Sequence, residues 1–99
     1  MKNPLECNSL DELRKEIDRI DKEIIELLGD RYNYVKEVVK YRTPGKREIA
    51  DQERFNHVIK ERGQWASNHG LDPEVIELVY RQLLNYFVRE QSAIANLQE

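Results

Sequence analysis

This 99-residue chain has one cysteine, Cys7, and therefore no internal disulfide. Cysteine this sparse fits a reducing compartment. No apolar run reaches 18 residues and no signal-like apolar stretch opens the chain, so neither a membrane span nor a leader is expected. Basic charge is also short. The net charge is -3, whereas binding nucleic acid without sequence preference needs a basic face. The chain is expected in the cytoplasm, with neither nucleic acid nor membrane among its partners. Glycine and proline number only four and three. From Leu10 to Arg42 there is no proline and a single glycine, Gly29.

What is present is charge and helical periodicity. Charged residues make up 35% of the chain and hydrophobic ones 39%, a composition suited to a soluble helical protein. A single domain spanning 1–99 is expected, near the low end for a self-sufficient core. Ser9 reads as an N-cap, with Glu12 at capping-box spacing, and residues 1–8 read as a loose lead-in. The first helix is then expected to run to about Tyr41 or Arg42. Its apolar residues recur at three- and four-residue steps: Leu10, Leu13, Ile17, Ile20, Ile24, Leu27, Tyr34 and Val38. At 1.5 Å per residue such a helix is about 50 Å long, while a compact chain of this size has a radius of gyration of about 13 Å. The helix overhangs any single-chain core, and a second copy lying alongside is the economical cover for its seam.

Thr43-Pro44-Gly45-Lys46-Arg47 breaks the pattern, since Pro44 stops a helix and Gly45 favours a turn. A second helix is expected from Ile49 or Asp51, with Phe55, Val58, Ile59, Arg62 and Trp65 as its seam, ending near Asn68-His69-Gly70 with Gly70 as a left-handed cap. A third starts at Asp72-Pro73-Glu74, with Asp72 as N-cap and Pro73 in the first position. Its seam runs Ile76, Val79, Tyr80, Leu83, Phe87 and Ile94, and passes the polar Gln91. The expected fold class is all-α, three helices with the first very long.

Polar residues that interrupt these seams are the candidates for function. Counting 24, 27, 31, 34, the seam of the first helix arrives at Arg31. A guanidinium on a buried face is costly unless an anion meets it. Arg14 and Arg42 share one flank of the same helix. Arginine grips a carboxylate through two parallel hydrogen bonds, so several arginines directed into a helical bundle point to a dicarboxylate. Gln91 adds a neutral donor and acceptor suited to an ether or hydroxyl oxygen. Spacing alone leaves other readings open. Arg31 also suits a core-edge arginine that snorkels or pairs with another helix. Arg14 also suits a solvated residue paired with Asp18 at i+4, Gln91 a boundary residue, and Arg42, Lys46 and Arg47 an ordinary charged loop. Trp65 and the tyrosines suit a core or dimer interface. Glu53 and His57 stand at i and i+4, a spacing a metal can use, but no third ligand is evident and no metal is expected. No serine, cysteine or histidine is placed as a nucleophile with a base, so any reaction is expected to be steered by charge and shape.

The chain resembles the all-helical (type II) chorismate mutases. The resemblance lies in Leu13-Arg14-Lys15-Glu16-Ile17-Asp18-Arg19-Ile20-Asp21, in Leu27-Leu28-Gly29-Asp30-Arg31, in Glu53-Arg54 and in Arg89-Glu90-Gln91, in order from about Leu10 to Gln91. Within that family it is most similar to the isochorismate-pyruvate lyases of salicylate biosynthesis, through Met1-Lys2-Asn3-Pro4 with Glu6-Cys7, Ile17-Asp18-Arg19-Ile20-Asp21, Tyr34-Val35-Lys36, Glu61-Arg62, Trp65-Ala66 and Asn68-His69-Gly70-Leu71-Asp72. The resemblance implies an intertwined homodimer with two shared active sites. In each, Arg31, the cation at position 42 and Gln91 come mainly from one chain and Arg14 from the other. It implies that Arg14 and Arg31 hold the two carboxylates of isochorismate, that Gln91 contacts the ether oxygen or the adjacent carboxylate, and that Glu53 lies in the substrate site. The implied reaction is a pericyclic elimination to salicylate and pyruvate, without cofactor or metal and with weak chorismate mutase activity from the same pocket. A role in siderophore synthesis is the pathway it implies.

Two positions separate lyase from mutase in this resemblance. Where dedicated mutases carry an acidic residue at the start of the second helix and a serine or similar group four residues before the glutamine, this chain has Ile49 and Phe87. A one-residue slip through the loop would place Glu48 instead of Ile49. The family expects a lysine where this chain has Arg42, and Lys40 and Lys46 are the alternative cations. The alternatives to the lyase are a dedicated chorismate mutase, making prephenate, and a non-catalytic helical dimer that binds a carboxylated metabolite or a protein.

Overall fold

The computed structural model describes residues 3–41 and 48–98, and every regular element among them is helical. Three α-helices follow one another, α1 (Leu10–Val38), α2 (Glu48–Asn68) and α3 (Pro73–Gln98), with short 3-10 helices at Pro4–Glu6 and Val39–Tyr41. The chain falls into two compact units, Met1–Tyr34 and Val35–Glu99.

In the first unit the lead-in is more ordered than its sequence implies. The Asn3 side chain accepts the Leu5 N–H at 3.1 Å, and the Glu6 carboxylate accepts the Asn3 N–H at 3.3 Å. This reciprocal capping box, with Pro4 pre-set for the turn, holds Pro4–Glu6 as a 3-10 helix. α1 begins where expected. The Ser9 hydroxyl accepts the Glu12 N–H at 3.2 Å, while the Glu12 carboxylate reaches one residue further back, to the Asn8 N–H at 2.7 Å. The 29 residues of α1 span about 43 Å, and none of them is buried. Its seam lies open in the single chain, with Ile17 55%, Ile24 47% and Leu27 65% exposed. Charged residues brace the flank. Arg19 bonds Glu16 at 3.1 Å and Glu23 at 2.6 Å, pairs worth a few tenths of a kcal/mol each.

In the second unit, α geometry ends at Val38 and the chain tightens into the 3-10 turn Val39–Tyr41, sooner than the expected end at Tyr41 or Arg42. α2 starts at Glu48, ahead of the expected Ile49 or Asp51. α2 packs on α3 through Val58, Ile59 and Leu84, with Phe55 and Tyr80 against them. The helices come close at Gly63, where an added Cβ would stand 2.9 Å from Glu77 Cγ. Trp65 departs from the expected seam. It is half exposed, and the neighbouring Ala66 is buried instead. The Trp65 ring receives the Arg62 guanidinium 4.4 Å from its centroid.

The ends of α2 and α3 follow their sequence signals. Leu71 N–H donates to the Ala66 carbonyl and Gly70 N–H to that of Ser67. With Gly70 at φ 73°, this is a Schellman closure. The Asp72 carboxylate then accepts the Glu74 N–H at 2.9 Å and opens α3. No helix among the described residues is long and apolar enough to cross a membrane.

Candidate active site

The first unit carries two of the candidate arginines. Arg14 is exposed on α1, and its expected pair with Asp18 is not among the ion pairs that form along the helix. Arg31 is half-buried, with its Nη1 atom shielded from solvent. Seventeen positions separate the two on one continuous helix, a distance of about 25 Å along the axis. At 100° per residue they also face different directions. That span exceeds what two arginine side chains can bridge across one small molecule. One copy of α1 therefore cannot bring both guanidinium groups to the same dicarboxylate.

The second unit carries the candidates of α2 and α3. Gln91 is 8% exposed, and its Nε2 donates to the Val35 carbonyl at 2.9 Å. Val35 lies in the last turn of α1, just before the chain tightens into the 3-10 helix Val39–Tyr41. Gln91 thus adds a side-chain donor to a backbone carbonyl of that turn. Phe87 stands one turn earlier on the same face of α3 and is 4% exposed. Its ring meets that of Tyr86 at 5.2 Å between centroids. Phe87 and Gln91 therefore form an apolar-polar pair at i and i+4, brought together by the helical repeat alone.

On α2, Glu53 is exposed. Ile49 lies one turn before it on the same helix. His57 follows Glu53 by one turn, and its Nε2 sits 3.6 Å from the Glu61 carboxylate. Among the described residues no three His, Cys, Asp or Glu side chains converge as a metal site. Arg42 and Lys46 lie outside the described residues. Lys40, the other alternative cation, is held by Glu37 at 2.7 Å. A shallow depression near the start of α3, lined by Glu74, Glu77, Leu78 and Arg81, contains none of the candidates.

Two features of the second unit are absent from the sequence reading. The Val35 backbone carbonyl, as the partner of Gln91, has no side-chain signature. Arg62 was placed on the α2 seam without a role. It is wedged between Trp65 and Tyr80, 5.9 Å from the latter's centroid, with Nη1 on Glu61 at 2.6 Å. Its i, i+3 spacing to Trp65 was the available clue.

The chain is similar to known proteins along most of its length. Residues 13–92 match the family model for chorismate mutase type II. The chain is 35% identical, over 91 residues, to an isochorismate pyruvate lyase of Pseudomonas aeruginosa. The match covers 92% of this chain and 89% of that protein.

Proposed function

Because the chain belongs to the chorismate mutase type II family, we propose that it is an isochorismate-pyruvate lyase that works as a homodimer with shared active sites. The observation that carries the shared site is the separation of Arg14 and Arg31, about 25 Å apart along one helix. Arg31 of one protomer and Arg14 of its partner grip the two substrate carboxylates, each through a forked pair of charge-assisted hydrogen bonds. The open seam of α1, from Leu10 to Leu27, is the surface that the second copy covers. Closing it removes apolar area from water at about 25 cal/mol per Å².

Within the site, Gln91 meets the ether oxygen or the carboxylate beside it, and Arg42 supplies the cation over the breaking C–O bond. Glu53 lies at the substrate rim. The reaction moves one hydrogen from the ring to the enolpyruvyl methylene as the C–O bond breaks. The ring becomes aromatic salicylate and the side chain leaves as pyruvate, so all atoms of isochorismate are accounted for without a co-reactant. The protein's contribution is to hold the reactive conformer and to stabilise negative charge growing on the ether oxygen. Phe87 favours the lyase over the mutase. A buried phenyl one turn before Gln91 offers no hydrogen bond to a ring hydroxyl, and Ile49 offers none from α2.

A second reading, a dedicated chorismate mutase, is favoured by the family match over residues 13–92. Separate incubation with isochorismate and chorismate distinguishes the two. The lyase gives fluorescent salicylate and an equal amount of pyruvate from isochorismate. Prephenate from chorismate, with no salicylate from isochorismate, would establish the mutase.

A further inference from the structure

We propose that Gln91 divides its two amide protons between the fold and the ligand, and that the Val35 carbonyl is the positioning group that aims the second one. The proposal rests on the reading of Gln91 as a substrate contact. A primary amide has two N–H donors and one acceptor oxygen. One donor is committed to Val35 at 2.9 Å. The acceptor is a backbone carbonyl in the last turn of α1, so it cannot rotate away as a side-chain oxygen would. Reversing the amide would set Oε1 against the carbonyl oxygen, two acceptors facing each other at a buried side chain, an arrangement proteins avoid. The amide plane is therefore fixed, and so is the direction of its second N–H.

That second donor has the chemistry the reaction requires. Charge develops on the ether oxygen as the C–O bond breaks, and a donor already aimed there needs no reorganisation during the step. A glutamate in place of Gln91 has no proton to give, and a protonated glutamic acid has one. Neither serves the carbonyl and the substrate together, so position 91 requires an amide. The buried Phe87 ring one turn earlier shields the same face of α3 from water.

The test weakens the carbonyl without touching any side chain. A chain of this length is open to chemical synthesis, and an ester in place of the Val35–Lys36 peptide bond makes the Val35 oxygen a poorer acceptor. An ester at Tyr32–Asn33 serves as control, since it also removes one helical N–H. Both esters are expected to lower the melting temperature, the Val35–Lys36 ester somewhat more because it also weakens the bond from Gln91. Only the Val35–Lys36 ester is expected to lower kcat on isochorismate, by about tenfold with KM little changed, the rate equivalent of one weakened hydrogen bond. Equal kcat for the two esters overturns the proposal and leaves the bond purely structural. In the unmodified protein, a scalar coupling across the hydrogen bond from Gln91 Nε2 to the Val35 carbonyl carbon is expected by NMR, and its absence also overturns the proposal. An unmodified protein that turns over neither isochorismate nor chorismate removes the functional reading itself. An active protein whose Val35–Lys36 ester keeps full kcat removes this proposal alone.

Discussion

Replacing Ile24 with glutamate is expected to take the proposed dimer apart. Ile24 lies midway along α1 and keeps 47% of its surface open in the single chain. Complete burial of an isoleucine side chain contributes about 1.5–3 kcal/mol, so roughly 1 kcal/mol remains for a covering partner to supply. A two-fold axis presents the residue twice, which brings the loss for Ile24→Ala to about 2 kcal/mol per dimer. The dimer constant then weakens roughly 30-fold. Ile24→Glu also sets a carboxylate into the closed seam of each copy, where effective desolvation runs to several kcal/mol per ion. The glutamate variant should weaken the dimer by more than about 1,000-fold and sediment as a monomer at micromolar concentration. Lys22, whose side chain is 80% exposed and 3.9 Å from Glu26, provides the control, and Lys22→Glu should leave the dimer intact. Sedimentation equilibrium over a wide range of concentration reads all three variants. If Ile24→Glu associates as tightly as the parent, or the parent is monomeric throughout, the covered-seam reasoning is refuted.

Arg31→Ala should reduce kcat/KM on isochorismate by at least about 100-fold, the loss of a forked charge-assisted contact, while sedimentation still reports a dimer. Retained turnover would remove Arg31 from the anion site. Arg42→Lys is expected to preserve or raise lyase activity, because a lysine presents one compact charge where arginine presents a planar fork. A large loss in the same assay would mean that the segment after Tyr41 positions its cation differently. Gly29→Ala should raise the melting temperature by about 4–8 °C, since alanine gains roughly 1 kcal/mol of helix propensity and the new Cβ meets nothing within 4 Å in the single chain. A fall in melting temperature would instead reveal a partner backbone pressed against that glycine.

The helix boundaries were largely legible because their signals are local. Ser9, the Asp72-Pro73 pair and Gly70 each act on backbone groups within a few residues, and each does so in the fold. The long apolar period of α1 also announced a helix whose apolar residues, Ile17, Ile24 and Leu27 among them, are exposed. The inner face of α2 was less legible. Pattern counts large apolar residues, so it favoured Trp65, whereas the buried position belongs to the small Ala66. The close approach at Gly63 is likewise invisible until α3 brings Glu77 across it. The change from α to 3-10 geometry at Val39 leaves no mark on composition. Of the candidate site, Gln91 was visible as a polar residue on an apolar face. Its partner is a backbone carbonyl 56 positions away, and a carbonyl is present at every residue.

The stretch of α1 between Arg14 and Arg31 has a genetic consequence. In the shared-site dimer, a chain lacking Arg14 and a chain lacking Arg31 are each inactive alone. On the proposed sharing, when they pair one site inherits both missing groups and the other inherits both intact ones. Random mixing makes half of the dimers mixed, and each of these has one working site of two, so about a quarter of the parental activity returns. Two alleles that fail separately should therefore rescue one another in one cell. Combining both substitutions in a single chain should abolish that rescue.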